Sequence, residues 1–132
     1  MEKIEHIGIA VKDLDAANKT YTKLLGQEPY KLETVDSEGV STSFFKVGDT
    51  KIELLQATDE SSAIARYLEK RGEGIHHIAY AVENIMEERE RLINEGFQAI
   101  GEIKEGADNK LVCFFHPKSS NGVLVELCQE RS

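Results

Sequence analysis

HIGIAV at residues 6–11 returns 71 residues later as HIAYAV at 77–82, and KIELLQ at 51–56 returns 73 residues later as LVELCQ at 124–129. Between these anchors each half carries a helix-like stretch and a Phe-Phe pair, Phe44-Phe45 in one and Phe114-Phe115 in the other. Chance can produce one such match. Several in the same order, with an offset that drifts by only two residues, point to an internal duplication.

Each half reads as strand, helix, then three strands. Residues 4–11 alternate apolar with polar or small residues, the period of a strand. Asp13 offers an N-cap, Ala16, Ala17, Tyr21, Leu24 and Leu25 recur at helical spacing, and Gly26 supplies the stop. In the second half Asn84 caps with Glu87 three residues on, Met86, Arg89, Leu92 and Ile93 continue the turns, and Gly96 ends them. Short strand-like runs bounded by Gly, Asp and Asn follow at 29–35, 40–47 and 50–56, then at 97–104, 110–116 and 122–129. Residues 60–71 form a helix-like linker with Ile64, Tyr67, Leu68 and Arg71 on one face. The expectation is an α+β fold: one domain over 1–132, made of two pseudo-symmetric βαβββ modules enclosing a metal site. Module one covers about 1–57, the linker helix about 60–71 and module two about 74–132.

Composition removes several classes of function. A net charge of −8 leaves no basic stripe for nucleic-acid phosphates. No apolar run approaches the ~20 residues of a membrane span. The sequence enters a strand pattern at once, which reads as a chain without signal or transit peptide, cytoplasmic or the mature form of something imported. Cys113 and Cys128 lie in apolar strand-like stretches without metal spacing, so both read as buried free thiols.

The duplication also organises the chemistry. Each module places one His near the start of its first strand and one Glu in its last: His6 with Glu53, and His77 with Glu126. A lone His on an apolar strand is usually a satisfied core residue, and a lone Glu between apolar neighbours usually faces solvent. Neither explanation suits a symmetric quartet, whereas two imidazoles and two carboxylates suit one divalent ion. Strand alternation lets the two glutamates share an interior face with Phe45 and other inward residues. Register selects His77 over His76 as the ligand, because His6-Ile7 aligns with His77-Ile78. His76 is then a packing or pocket residue. His116, in HPKSSNG, reads as a turn residue bonded to its own loop. Lys110 and Lys118, flanking a strand of the second module, are candidates for carboxylate or phosphate contacts.

The repeat and the His/Glu quartet resemble the vicinal-oxygen-chelate superfamily over the whole chain. Longer stretches, DESSAIARYLEKRGEGIHHIAYAVENI, FFHPKSSNGVLVEL and HIGIAVKDLDAA with LLG, are similar to its methylmalonyl-CoA epimerase branch. That resemblance implies His6, Glu53, His77 and Glu126 as metal ligands, with one divalent ion per chain (Co, Mn, Zn, Ni or Mg). It also implies an acyl-CoA substrate, a homodimer, and inversion of methylmalonyl-CoA at its α-carbon with Glu126 as an acid/base group. His76, Lys110 and Lys118 would lie toward the substrate. One departure stands out: Thr42 occupies a place where some relatives carry a glutamate proposed as a second base, and a hydroxyl is no general base near neutral pH. A glyoxalase I-type lactoylglutathione lyase shares the ligand set and is the rival activity. A drug-sequestering binding protein of the same fold is the non-enzymatic rival.

Overall fold

The structure, a computed structural model, describes residues 1–131. It divides into two compact units, residues 6–76 and residues 1–5 together with the chain from His77 on. The first few residues thus group with the second half of the sequence, where the Glu2 N–H donates to the Ala81 carbonyl at 2.8 Å.

In the first unit the elements are β1 (Lys3–Ala10, of which His6 onward belongs here), α1 (Leu14–Leu25), β2 (Lys31–Val35), β3 (Val40–Val47), β4 (Thr50–Ala57) and α2 (Ala63–Arg71). Strand order is β2-β3-β4-β1. β1 and β4 run parallel, and the other pairs are antiparallel. Asp13 caps α1 by accepting from the Ala16 N–H at 3.2 Å, and Gly26 closes it at a φ of 71°. The buried seam of α1 is Leu14, Ala17, Tyr21 and Leu25, packed on Val11, Phe45 and Leu54. Ala16 and Leu24, counted into that stripe from sequence, face outward, and Leu24 is 68% exposed. α2 starts later than the linker pattern suggests, because Ser62 is its N-cap. Its Ile64, Tyr67 and Leu68 pack on Ala10, Val40 and Leu55, whereas Arg71 is exposed.

The second unit repeats the plan with β5 (Gly74–Ala81), α3 (Ile85–Asn94), β6 (Ala99–Gly106), β7 (Lys110–Phe115) and β8 (Leu124–Glu130). Its order is β5-β8-β7-β6, with β5 and β8 parallel. Asn84 accepts from the Glu87 N–H at 3.1 Å. Ile85 and Leu92 are the buried residues of α3, set against Val82, Cys113, Phe115 and Leu127. Leu92 is buried as the pattern read from sequence has it, whereas Met86 is 72% and Ile93 41% exposed, and Ile85 takes the first buried place.

A repeat-related contact ties helix to sheet in each unit. The Gln56 side-chain carbonyl accepts from the Leu14 N–H at 2.6 Å, and the Gln129 carbonyl accepts from the Ile85 N–H at 2.8 Å. These are the closing residues of KIELLQ and LVELCQ. A helix start leaves its first N–H groups without intrahelical partners, and each Gln satisfies one of them. The Glu of each motif lies three residues earlier on the strand and therefore points from the opposite face.

Candidate metal centre

Pairing register fixes which side chains share a sheet face. In the first unit Glu53 stands opposite Phe44 on β3 and beside Gly8 on β1, and His6 stands beside Lys51. Counting by twos, His6, Gly8, Ala10, Glu53, Leu55, Thr42 and Phe44 occupy one face. Phe45, expected from sequence beside Glu53, is on the other face against Tyr21, with ring centroids 6.2 Å apart. The Phe-Phe pair straddles the sheet, and only the cross-strand partner shows which ring goes where.

His6 and Glu53 are each 5% exposed, and His6 Nδ1 lies 3.1 Å from Glu53 Oε2. The second unit builds the same pair: His77 is 6% and Glu126 5% exposed, with His77 Nε2 3.1 Å from Glu126 Oε1. Glu126 is opposite Phe114, as Glu53 is opposite Phe44. Burying a carboxylate is costly unless it is paired or ligates a metal. Two cis ligands of a six-coordinate ion with bonds of ~2.1 Å stand ~3.0 Å apart. Each pair therefore has the donor chemistry and spacing of half a divalent-metal site.

The remaining sequence candidates fall in varied places. His76, on the face of β5 opposite His77, stands edge-on to Tyr67 at 5.0 Å between ring centroids. His116 caps the 3-10 turn Pro117–Ser120, its Nδ1 accepting from the Lys118 N–H at 3.1 Å, as a turn residue should. Lys118 itself is exposed. Lys110 is 7% exposed, on the same face as Glu126, with Nζ 3.1 Å from Glu130 Oε1. It lines a recess of about 320 Å³ with Glu5, Cys128 and Gln129. A larger recess of about 800 Å³ lies at the start of α3, among Glu83, Glu87 and Arg91, away from the His77–Glu126 pair. Both cysteines are buried free thiols.

Beyond the four ligand candidates and Lys110, the buried polar residues among those described are Glu5, Thr42, Ser43 and Ser62. Glu5, 4% exposed, precedes His6, and no motif marks it. Thr42 is 1% exposed, and its Oγ1 has no hydrogen-bond partner among the described residues. Its burial follows from the β3 register, which sequence alone does not give.

The chain matches, over residues 5–114, the family model of the glyoxalase, bleomycin resistance protein and dioxygenase superfamily. It is 45% identical over 130 residues to the ethylmalonyl-CoA/methylmalonyl-CoA epimerase of Cereibacter sphaeroides, covering 96% of this chain and 97% of that protein. Among solved structures, the methylmalonyl-CoA epimerase of Mycobacterium tuberculosis is similar with a TM-score of 0.92 and 35% identity, covering 98% of this chain and 89% of the other. A methylmalonyl-CoA epimerase solved in complex with methylmalonyl-CoA and NH4+ gives a TM-score of 0.95 at 32% identity, covering 100% of this chain and 96% of the other. A duplicated βαβββ plan with a buried His–Glu pair in each half and a family match across most of its length make this chain a member of the glyoxalase, bleomycin resistance protein and dioxygenase superfamily.

Proposed function

We propose that the chain is an isomerase that interconverts the two configurations of methylmalonyl-CoA, and that His6, Glu53, His77 and Glu126 together hold one divalent metal ion. The observation that carries the reading is the pair of buried His–Glu contacts, each at 3.1 Å, in a chain 45% identical to an epimerase along nearly its whole length. The carbon between thioester and carboxylate must lose its proton on one face and regain one on the other. A divalent ion held by these residues would supply Lewis-acid polarisation of the thioester carbonyl, which would acidify that C–H. We assign Glu126, 5% exposed, as an acid/base group, since a carboxylate held at the reacting carbon can accept and return a proton. Lys110, buried on the face of Glu126, is assigned to the free carboxylate of the substrate. Thr42 supplies no base, so the proton on its side of the substrate moves through another group. A homodimer is carried with this reading from the family resemblance.

The test is to load the purified chain with Co, Mn, Zn, Ni or Mg in turn and supply a single epimer of methylmalonyl-CoA in deuterated water. Inversion accompanied by deuterium at the α-carbon is expected. Turnover of methylglyoxal with glutathione, without α-exchange, would assign the chain to the lactoylglutathione lyase activity instead. Stoichiometric metal without either activity would leave a binding protein.

A further inference from the structure

The sheet face that carries His6 and Glu53 can be laid out in rows across the strands. One row holds Lys46, Lys51 and His6, and the next holds Lys31, Phe44, Glu53 and Gly8. Beyond these come Glu33, Thr42, Leu55 and Ala10, then Val35, Val40 and Ala57, where α2 packs. Helix α2 thus covers one end of this face. The other end carries three lysines, in a chain whose net charge is −8. Lys31 has its Nζ 5.2 Å from the Phe44 ring centroid and 3.1 Å from Glu33 Oε1.

Lys46 and Lys51 are direct cross-strand partners on an antiparallel pair, an arrangement in which like charges destabilise the sheet. The second unit is an internal control for whether the fold requires this. There Glu126 pairs with Phe114, Phe114 with Ile100, and His77 stands beside Leu124. The residue two beyond Phe114 is His116. Where the first unit has Lys31, Lys46 and Lys51, the second therefore has Ile100, His116 and Leu124 on the same backbone plan. Its own lysines on β6 and β7, Lys104 and Lys110, start further along, opposite Val112 and beside Gly106 and Glu130, and Lys104 brings its Nζ to 5.6 Å from the Phe114 ring centroid, as Lys31 does at Phe44. The Lys46–Lys51 row is a departure from the repeat, and together with Lys31 it adjoins the His6–Glu53 pair.

We infer that Lys31, Lys46 and Lys51 form a binding site for the phosphate groups of the substrate's nucleotide tail. The inference rests on the acyl-CoA reading above. A ligand whose acyl end sits at His6 and Glu53 meets α2 in one direction along this face and the lysines in the other. Phosphate oxygens would accept charge-assisted bonds from the ammonium groups and relieve the Lys46–Lys51 repulsion. Lysine suits this role as a point charge on a flexible stem, which follows a mobile diphosphate without a fixed fork geometry.

The experiment measures binding of adenosine 3′,5′-bisphosphate by calorimetry, and kcat/KM for methylmalonyl-CoA and for methylmalonyl-pantetheine, which lacks every phosphate of the tail. Wild-type protein should bind the bisphosphate with an affinity that falls as salt rises. Substituting all three lysines by Gln should weaken it about a hundredfold, from roughly tenfold for each of two well-formed charge-assisted bonds. The preference for the CoA thioester over the pantetheine thioester should shrink by a similar factor. Lys46→Glu should raise thermal stability while weakening bisphosphate binding, a combination that a purely structural lysine would not give. An equal loss on both thioesters would place the lysines at the acyl end and overturn the inference, as would bisphosphate binding unchanged in the triple variant. Bisphosphate binding that depends on the lysines in a protein inactive on both thioesters would keep this site and reject the epimerase reading.

Discussion

Replacing Thr42 by valine isolates a group that the fold buries without apparent use. The side chain is 1% exposed, and its hydroxyl has no hydrogen-bond partner among the described residues. Leaving a buried hydroxyl unsatisfied costs ~1–3 kcal/mol, and valine keeps the shape of threonine while removing the polar atom. Unfolding entropy of ~2.1 cal/mol/K per residue gives ~0.28 kcal/mol/K for a chain of this length, so Thr42→Val should raise Tm by roughly 4–11 °C. The measurement is thermal unfolding of both proteins at one metal concentration and again with chelator, because bound metal adds its own stabilisation. Thr42→Ala should instead lower Tm by opening a cavity in the β3 face. Turnover by either variant should stay within about tenfold of wild type, ~1.4 kcal/mol of barrier, since a hydroxyl contributes orientation rather than proton abstraction. A Tm that falls in Thr42→Val would mean that the hydroxyl is satisfied in solution. A fully metallated but inactive Thr42→Val enzyme would show that it bonds the substrate, and the reasoning would fail.

Four further outcomes are expected. His77→Ala should abolish stoichiometric metal binding while His76→Ala largely spares it, and metal analysis of the purified variants reads this; the reverse result would refute the register assignment. Gln56→Ala and Gln129→Ala should each cost ~1 kcal/mol in urea unfolding, because each orphans one N–H at a helix start. Burial pushes the Cys113 thiol up to about 11, so native protein at pH 8 should react with iodoacetamide far more slowly than urea-unfolded protein. The folded state favours the neutral thiol there; its contribution is whole below the unfolded pKa of ~8.5 and is lost as pH rises toward 11, so denaturation midpoints should fall over that window.

The duplication, the strand–helix–strand order and the four ligand candidates were legible in the sequence because they are local patterns repeated at a fixed offset. Helix caps were legible for the same reason: Asp13 and Asn84 act through bonds to amides three residues away. Facing was harder. Alternation along β3 shows that Phe44 and Phe45 point opposite ways, but only the strand pairing shows that Phe44 is the one beside Glu53. Ala17, Tyr21, Leu25 and Leu92 lie in the helix seams as read, but Ala16 and Met86 fit an apolar stripe that Leu14 and Ile85 in fact begin. The lysine rows combine three strands, and no single stretch of sequence contains them.

The two glutamine contacts make each unit report on its own integrity. The first amides of a helix ordinarily exchange with solvent quickly, having no intrahelical acceptor. Leu14 and Ile85 are such amides, yet each is locked to a glutamine on the strand that also carries its unit's glutamate. Their hydrogen–deuterium exchange is governed by separation of helix from strand rather than by fraying. The chain thus carries two built-in clocks, one per half, resolvable as two peaks in the same spectrum. Comparing them would show whether the two halves of a duplicated sequence open with one free energy or have drifted apart.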